Sequence, residues 1–302
     1  MRLITKNLFI IIFSLFILSL DFYVNANPPI NFELGVQGLE QVCEYENYRK
    51  FLGLKRAYLY DLPVVPKGSV VSDYLLSSDV ESIREHLGDS VFCRFDAPAN
   101  KWYGLPRGQD IKVDDINIML SKVKKTNPSA VLLCFAEPSQ HFLGKIVERP
   151  YISGGLSILI DWNKSIVIEY VGQGFDAGDL TRGSNGYHCC IVIPWEVSGW
   201  PVEFMWDHLR VQNISSAEYS VSRQHRVDIL ESMGYSKVEL ENCIPSAAVP
   251  KMDINLFKII FEKCISKVVK YPGDFDTNHP TVIMANIYGE KIHVVEIWNS
   301  NS

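Results

Sequence analysis

Two glutamates interrupt apolar runs and are the strongest candidates for chemistry. Glu169 lies within Ile166–Val171, and Glu296 lies within Val294–Ile297. A buried carboxylate must be paired with a cation or bound to a metal, because burying an uncompensated charge is costly. Magnesium prefers oxygen ligands in octahedral geometry, so we expect Glu296 to bind magnesium, with Asn299 as a weaker candidate ligand. The alternative is that the glutamates occupy outward-facing strand positions in solvent.

Three basic residues are candidates for binding phosphate. Arg94 lies in a short apolar run, Arg107 lies in a loop rich in proline and glycine, and Lys145 begins another predicted strand. A planar guanidinium matches the oxygens of a phosphate, and phosphoryl chemistry on ATP needs such charges. The alternatives are a buried ion pair of Arg94 with Asp96 or Glu148, and a solvated loop charge for Arg107.

Other polar residues have two interpretations each. Glu148, at the end of a predicted strand, either accepts a hydrogen bond from an adenine amino group or lies in water. Asp176 and Asp179 either hold a metal or a substrate amine, or form a turn for conformational reasons. The adjacent His188 and Cys189 do not indicate a catalytic pair, because catalytic cysteine and histidine meet in space and are seldom neighbours in sequence.

Hydrophobic periodicity and turn residues predict the elements that position these side chains. The predicted helices are residues 39–51, 78–87, 114–124 and 254–269. The predicted strands are residues 91–95, 130–135, 145–147, 156–161, 165–170 and 189–193, followed by a hairpin of 281–288 and 291–297 around Gly289-Glu290. Residues 195–250 have no clear pattern, and an insertion is one interpretation.

The N-terminus is typical of a secretory leader. Among the 302 residues, the first 26 carry Arg2 and Lys6, then an apolar run from Leu8 to Leu20, then Val24-Asn25-Ala26. This order of charged, apolar and small residues predicts a cleaved signal peptide, with an uncleaved anchor and a buried helix as alternatives. The net charge of −6 argues against broad nucleic-acid binding, which needs clustered lysine and arginine.

Cysteine usage does not fit export cleanly. The chain has 7 cysteines at irregular spacing, whereas a stapled secreted domain usually has an even number. We therefore expect buried apolar cysteines. No group of cysteine and histidine residues has the spacing of a zinc site, so we expect no structural zinc.

Several segments, taken in order, resemble the ATP-grasp superfamily. The nearest likeness is to the nucleotide-binding domain of phosphoenolpyruvate synthases and pyruvate phosphate dikinases. The segments that carry it are residues 55–71, 91–94, 145–155, 166–183 and 292–299. The resemblance implies an α+β, ATP-grasp-like fold of two α/β subdomains with mostly antiparallel sheets, spanning residues 27–302 after the leader of residues 1–26.

The resemblance also implies ATP and Mg2+ as cofactors and assigns roles to individual residues. The implied catalytic residues that contact phosphate are Arg94, Arg107 and Lys145. The implied cofactor-binding residues are Arg94, Glu148, Arg149, Tyr151 and Glu169. The implied metal ligands are Glu296, Asn299 and Asn286. The chain departs from the pattern in the Glu296-x-x-Asn299 spacing, in having Asn286 where a carboxylate is expected, and in its single glycine-rich candidate loop, residues 104–108.

Two hypotheses follow from the sequence. The first is an ATP-binding ligase or phosphotransferase with an unknown acceptor. The second is an exported, catalytically inactive module that binds a nucleotide or another partner, because ATP is scarce outside the cytoplasm. Neither involves nucleic acid. Contact with a membrane is expected only through an uncleaved N-terminal segment, and the chain would be cytoplasmic if the leader is not genuine.

Overall fold

The computed structural model describes residues 27–33, 47–64, 67–98, 105, 109–136, 153–181, 186–232, 235–246 and 248–299. The strands are β1 Ile30–Glu33, β2 Lys67–Val71, β3 Ser90–Asp96, β4 Gln109–Lys112, β5 Val131–Ala136, β6 Gly154–Asp161, β7 Ser165–Val171, β8 Cys189–Pro194, β9 Arg210–Asn213, β10 Thr281–Tyr288 and β11 Lys291–Asn299. The helices are α1 Arg49–Leu59, α2 Ser77–Leu87, α3 Ile116–Lys124, α4 Ala177–Thr181, α5 Val202–Trp206, α6 Ser216–Ser232, α7 Lys237–Cys243, α8 Ile254–Ile260 and α9 Ser266–Val269.

The described residues divide into two units, one within residues 1–48 and 66–137 and the other within residues 49–65 and 138–302. The first contains a five-stranded sheet in the order β1-β2-β5-β3-β4, and the second a six-stranded sheet in the order β11-β10-β6-β7-β8-β9. Every strand pairing in the described part of the chain is antiparallel. The expected α+β class with mostly antiparallel sheets is therefore confirmed.

The core of the first unit lies between one face of its sheet and the helices α2 and α3. Helix α2 begins where the Asp79 carboxylate accepts a hydrogen bond from the Leu76 backbone N–H at 2.9 Å, and it ends at Gly88, whose φ is 99°. Ile83 of α2 and Leu120 of α3 are buried against alternate residues of β3 and β5. The predicted helices 78–87 and 114–124 and strands 91–95 and 130–135 are confirmed to within about two residues.

The core of the second unit lies under one face of the six-stranded sheet. A helical segment covers this face, formed by α8, a π-helical turn at Phe261–Ile265, and α9. Phe257, Cys264 and Val268 of this segment are buried with Ile158, Ile168 and other inward residues of the strands. The amphipathic helix predicted over residues 254–269 is confirmed, although the pattern gave no sign of the π-helical turn.

Residues 195–250, uninterpretable as a sequence, are part of the second unit. Strand β9 pairs with β8 and extends the sheet. Helices α6 and α7 bury Leu230 and Leu240 against Val171 and Phe175, at the end of β7 and in the loop that follows it. This region therefore covers that loop, and it also forms one edge of the sheet.

Candidate functional site

One row of side chains crosses the six-stranded sheet on the face opposite α8 and α9. Direct pairing aligns its members from one edge to the other: Gln212, Cys190, Glu169, Ser157, Met284 and Glu296. Residues paired directly across antiparallel strands point to the same face, so these six side chains form a continuous line, which we call the cross-sheet row. The structure thus places Glu169 and Glu296, both singled out by the sequence, on one surface.

A second row, mostly aliphatic, runs beside the cross-sheet row. Pairing aligns Val192, Val167, Leu159 and Val282 along the same face. These side chains are only half-buried, in contrast to the fully buried isoleucines of the opposite face. A carboxylate flanked by a flat aliphatic surface suits a planar heteroaromatic ligand, because the surface packs against the ring and the carboxylate accepts from an edge N–H.

Among the described residues, none donates a hydrogen bond that would compensate for the burial of Glu169. In the described part of the chain its carboxylate has no hydrogen-bond donor, and its strand neighbours are Ser157 and Cys190. Desolvation raises the pKa of Glu169 above its ordinary value. A ligand that donates a hydrogen bond here would replace the lost water, so the side chain has capacity to bind.

Cys190 and Tyr187 extend this acidic environment. Burial, and secondarily the Glu169 charge, raise the pKa of the Cys190 thiol to about 11. The pKa of the Tyr187 hydroxyl is also raised, first by desolvation and then by the charges of Cys190, Glu169 and Glu218. Both groups are therefore protonated at neutral pH, and the Cys190 thiol is not activated as a nucleophile.

The three metal ligands implied by the resemblance do not converge. Glu296 and Asn299 point to opposite faces of β11, because their spacing is odd and the pairing of residues 296–299 with β10 is regular. Asn299 is 6% exposed, and its amide donates to the Thr281 hydroxyl oxygen at 3.1 Å. Asn286 lies on the Glu296 face, where its side-chain oxygen accepts from the Ala177 backbone N–H at 2.8 Å. Glu296 and Asn299 therefore cannot bind one ion together.

The separation of the two glutamates also excludes a shared magnesium ion. Glu169 on β7 and Glu296 on β11 are three strand positions apart. Adjacent strands are about 4.8 Å apart, which places the two backbone positions about 14 Å from each other. Because side chains stand roughly perpendicular to a sheet and Mg–O distances are about 2.1 Å, one ion cannot contact both carboxylates.

The loop between β7 and α4 is held by a buried arginine. Arg226 of α6 is 0% exposed, and its Nε donates to the Gly174 carbonyl at 2.9 Å. Its two terminal nitrogens lie 3.3 Å from Asp179 Oδ1 and 3.5 Å from Asp176 Oδ2. Asp179 also accepts from the Asp176 backbone N–H at 2.9 Å. Both carboxylates therefore have a charged partner within the protein, which favours a structural turn over a metal site.

The same loop lies directly on the sheet. A Cβ on Gly155 of β6 would lie 2.3 Å from the Ala177 backbone nitrogen, so only glycine permits this approach. Together with the hydrogen bond from Ala177 to Asn286, this packing fixes α4 over one end of the face that carries the cross-sheet row.

His188 completes the buried polar group beneath α6. Its Nδ1 accepts from the Gly172 backbone N–H at 3.0 Å, which places the ring proton on Nε2, 3.3 Å from the Ser222 hydroxyl. Burial lowers the pKa of His188 to about 4. A histidine that activates a serine must accept its proton, whereas here Nε2 carries one. The pair is therefore structural, and the absence of a His188–Cys189 catalytic pair agrees with the raised pKa of the Cys189 thiol.

Of the remaining candidate residues, the structure describes Arg94. Arg94 lies on β3 of the first unit, half-buried and paired directly with Leu133, on the same face as the fully buried Asp96. The following candidates lie outside the described residues: Arg107, Lys145, Glu148, Arg149 and Tyr151.

Sequence reasoning missed Arg226, although a signal for it was present. The buried residues of α6 include Tyr219, Ser222, Arg226 and Leu230, which recur at intervals of three or four. An arginine at an inward position of a helix predicts a buried acidic partner. By contrast, nothing in the sequence indicates that Ser157 and Cys190 flank Glu169, because only the pairing of the strands brings them together.

Two comparisons of the sequence with known proteins give no relationship. No protein-family model matches the chain. A search of the curated proteins finds no relative. Within the described residues, no three histidine, cysteine, aspartate or glutamate side chains are grouped to hold a metal ion. The helices in that part of the chain are all too short or too polar to cross a membrane.

Proposed function

We propose that the chain is an ATP-binding protein of ATP-grasp type, acting as a ligase or phosphotransferase on an unknown acceptor. The observation that carries the proposal is the half-buried Glu169 carboxylate, which has no donor in the described part of the chain and adjoins aliphatic side chains. Adenine presents a flat ring and an exocyclic amino group, and this surface is complementary to both. The α+β architecture with two antiparallel sheets is compatible with the proposal.

Glu296 is the proposed magnesium ligand in this arrangement. Magnesium in nucleotide sites is commonly held by one or two carboxylates together with phosphate oxygens and water. Glu296 lies on the same face as Glu169, about 14 Å along the cross-sheet row. That distance suits the length of a bound nucleotide, with the base near Glu169 and the metal and phosphates toward Glu296.

The test is a thermal-shift titration of the full-length chain with ATP, in magnesium and in EDTA. Binding to the native state alone raises the unfolding midpoint by mass action. We expect a rise with ATP that is larger in magnesium, is lost in Glu169→Gln, and becomes independent of magnesium in Glu296→Gln. Adenosine alone should give a smaller rise that still depends on Glu169.

Matched variants separate a local effect from general charge loss. Glu290→Gln changes an exposed residue of the turn between β10 and β11, and Glu241→Gln changes an exposed residue of α7. Both should keep the complete response to ATP and magnesium. No shift at millimolar ATP in the unsubstituted chain would refute nucleotide binding, and an undiminished shift in Glu169→Gln would refute the proposed position of the base.

A second candidate function is a catalytically inactive, exported binding module. The observation that favours it is the separation of Glu296 from Asn299, with the side-chain oxygen of Asn286 engaged by the Ala177 backbone. The three implied metal ligands therefore do not meet at one ion, whereas turnover of ATP would need a bound metal. Under this hypothesis the rise with ATP is the same in magnesium and in EDTA, and no ADP is released during prolonged incubation.

A further inference from the structure

Two cysteines of the first unit face each other across adjacent strands. Cys93 on β3 is paired directly with Cys134 on β5, and their Sγ atoms are 2.9 Å apart. Both side chains point into the core beneath α2 and α3, where they are 1% and 0% exposed, respectively. The two thiols are therefore in direct contact although 41 positions separate them in the sequence.

The backbone at this pair satisfies the geometry of a disulfide. Residues directly opposite in antiparallel strands have Cα atoms about 4.5 or 5.5 Å apart, depending on the hydrogen-bonding pattern. A disulfide needs a Cα separation of about 4.4–6.8 Å. Both alternatives lie within this range, so Cys93 and Cys134 can be bonded while β3 and β5 keep their register.

We propose that Cys93 and Cys134 form an intramolecular disulfide when the chain folds in the presence of a disulfide oxidant. The leader expected at the N-terminus would direct the chain to a compartment where such oxidants occur. Other cysteines are arranged differently. Cys189 and Cys190 are consecutive on β8 and point to opposite faces, and Cys264 lies in the core of the second unit. One disulfide uses only two of the 7 cysteines, so the odd number of cysteines in the sequence does not argue against it.

The oxidation is a thiol–disulfide exchange in two steps. A thiolate of one cysteine attacks glutathione disulfide, forming a mixed disulfide and releasing one glutathione thiolate. The thiolate of the other cysteine then attacks the mixed disulfide at the protein sulfur and releases the second glutathione. Two protein thiols are thus oxidised and one glutathione disulfide is reduced to two glutathiones. Because both sulfurs are buried in the folded chain, exchange occurs before β3 and β5 pair or when they open.

The first test identifies the bond by mass spectrometry. Full-length chain is refolded from denaturant in oxidised and reduced glutathione, and in parallel in a reducing phosphine, then alkylated with a maleimide and digested with trypsin. Cleavage after Arg84, Arg94, Lys125 and Lys145 isolates residues 85–94 and 126–145, each containing one cysteine. We expect these peptides to be linked only in the oxidised sample. Recovery of both as alkylated peptides from oxidised, refolded protein would overturn the proposal.

The second test measures the effect on stability. A disulfide between Cys93 and Cys134 closes a loop across 41 positions and lowers the entropy of the unfolded chain. The oxidised protein should therefore unfold about 5–10 °C above the reduced protein. This difference should vanish in Cys93→Ser and persist in the control Cys264→Ser. A difference that persists in Cys93→Ser would assign the stabilisation to another pair. If Cys93→Ser does not refold, the peptide linkage in the unsubstituted chain still decides.

Discussion

Two groups of acidic side chains in the second unit differ in where their hydrogen-bond partners come from. Asp176 and Asp179 are buried, and Arg226, itself 0% exposed, pairs with both. Glu169 is half-buried and has no donor in the described part of the chain. The first group is completed by the protein and stabilises a loop, whereas the second keeps capacity for a ligand. A carboxylate in an apolar setting therefore indicates binding only when the chain itself does not supply its partner.

The largest expected effect comes from removing the internal partner. Arg226→Met leaves two buried carboxylates and the Gly174 carbonyl without their guanidinium. We expect a loss of about 3–5 kcal/mol in the free energy of unfolding, measured by urea titration. Arg210→Met, at an exposed position of β9, should change it by less than about 0.5 kcal/mol. A loss below about 1 kcal/mol in Arg226→Met would contradict the assignment of this cluster as the structural one.

The next effect concerns the histidine beside that cluster. Because burial lowers the pKa of His188 to about 4, the unfolded chain binds a proton at higher pH than the folded chain. The neutral state of His188 therefore stabilises the folded chain fully above about pH 6.5. As the pH falls toward 4, the free energy of unfolding decreases by about 3 kcal/mol. His188→Asn keeps an acceptor for the Gly172 N–H but does not titrate. In urea titrations at several pH values, the free energy of unfolding of this variant should therefore fall less steeply between pH 6.5 and 4 than that of the unsubstituted chain.

An exposed histidine provides the control for that slope. His225 lies on the outer surface of α6, one residue before Arg226. His225→Asn, measured in the same way, is the matched control, because it also replaces a histidine by asparagine but at an exposed position. If His188→Asn and the unsubstituted chain lose stability in parallel between pH 6.5 and 4, His188 is not held neutral by the fold.

The smallest expected effect has the opposite sign. Burial raises the pKa of Glu169, so between about pH 4.5 and that raised value the folded chain holds more protons, and stability falls as the pH rises. Glu169→Gln should therefore stabilise the ligand-free chain at pH 7, by less than about 1 kcal/mol because the side chain is half-exposed. The measurement is the thermal unfolding midpoint of Glu169→Gln, compared with that of the control Glu241→Gln at an exposed position. A clear destabilisation would mean that Glu169 has a partner within the chain.

The sequence predicted local elements well, because their signals are local. The hairpin of β6 and β7 turns at Trp162-Asn163-Lys164, where Asn163 has a φ of 73°, a conformation that asparagine tolerates. The hairpin of β10 and β11 turns at Gly289, with a φ of 59°. Apolar spacing predicted α8 and α9 in the same way.

The candidate site was predicted less well, because its geometry depends on distant pairing. Strand β10 pairs with β6 although more than a hundred residues separate them, and this pairing aligns Met284 with Ser157. No local pattern contains that information. The odd spacing of Glu296 and Asn299 was visible, and strand alternation alone places such residues on opposite faces. The resemblance implied that Glu296 and Asn299 bind one metal ion together, but side chains alternate between the two faces of a strand and these two residues face opposite ways.

The two edges of the six-stranded sheet also affect how the protein behaves at high concentration. At one edge the Val294 backbone N–H of β11 donates to the Pro63 carbonyl at 2.7 Å, and Gly53 brings α1 against the Ile297 carbonyl. The other edge is β9, which has four exposed residues beginning with Arg210. Covered edges and short charged ones do not recruit strands from other molecules. Aggregation of this unit should therefore require prior unfolding, and its rate should follow the population of unfolded chains.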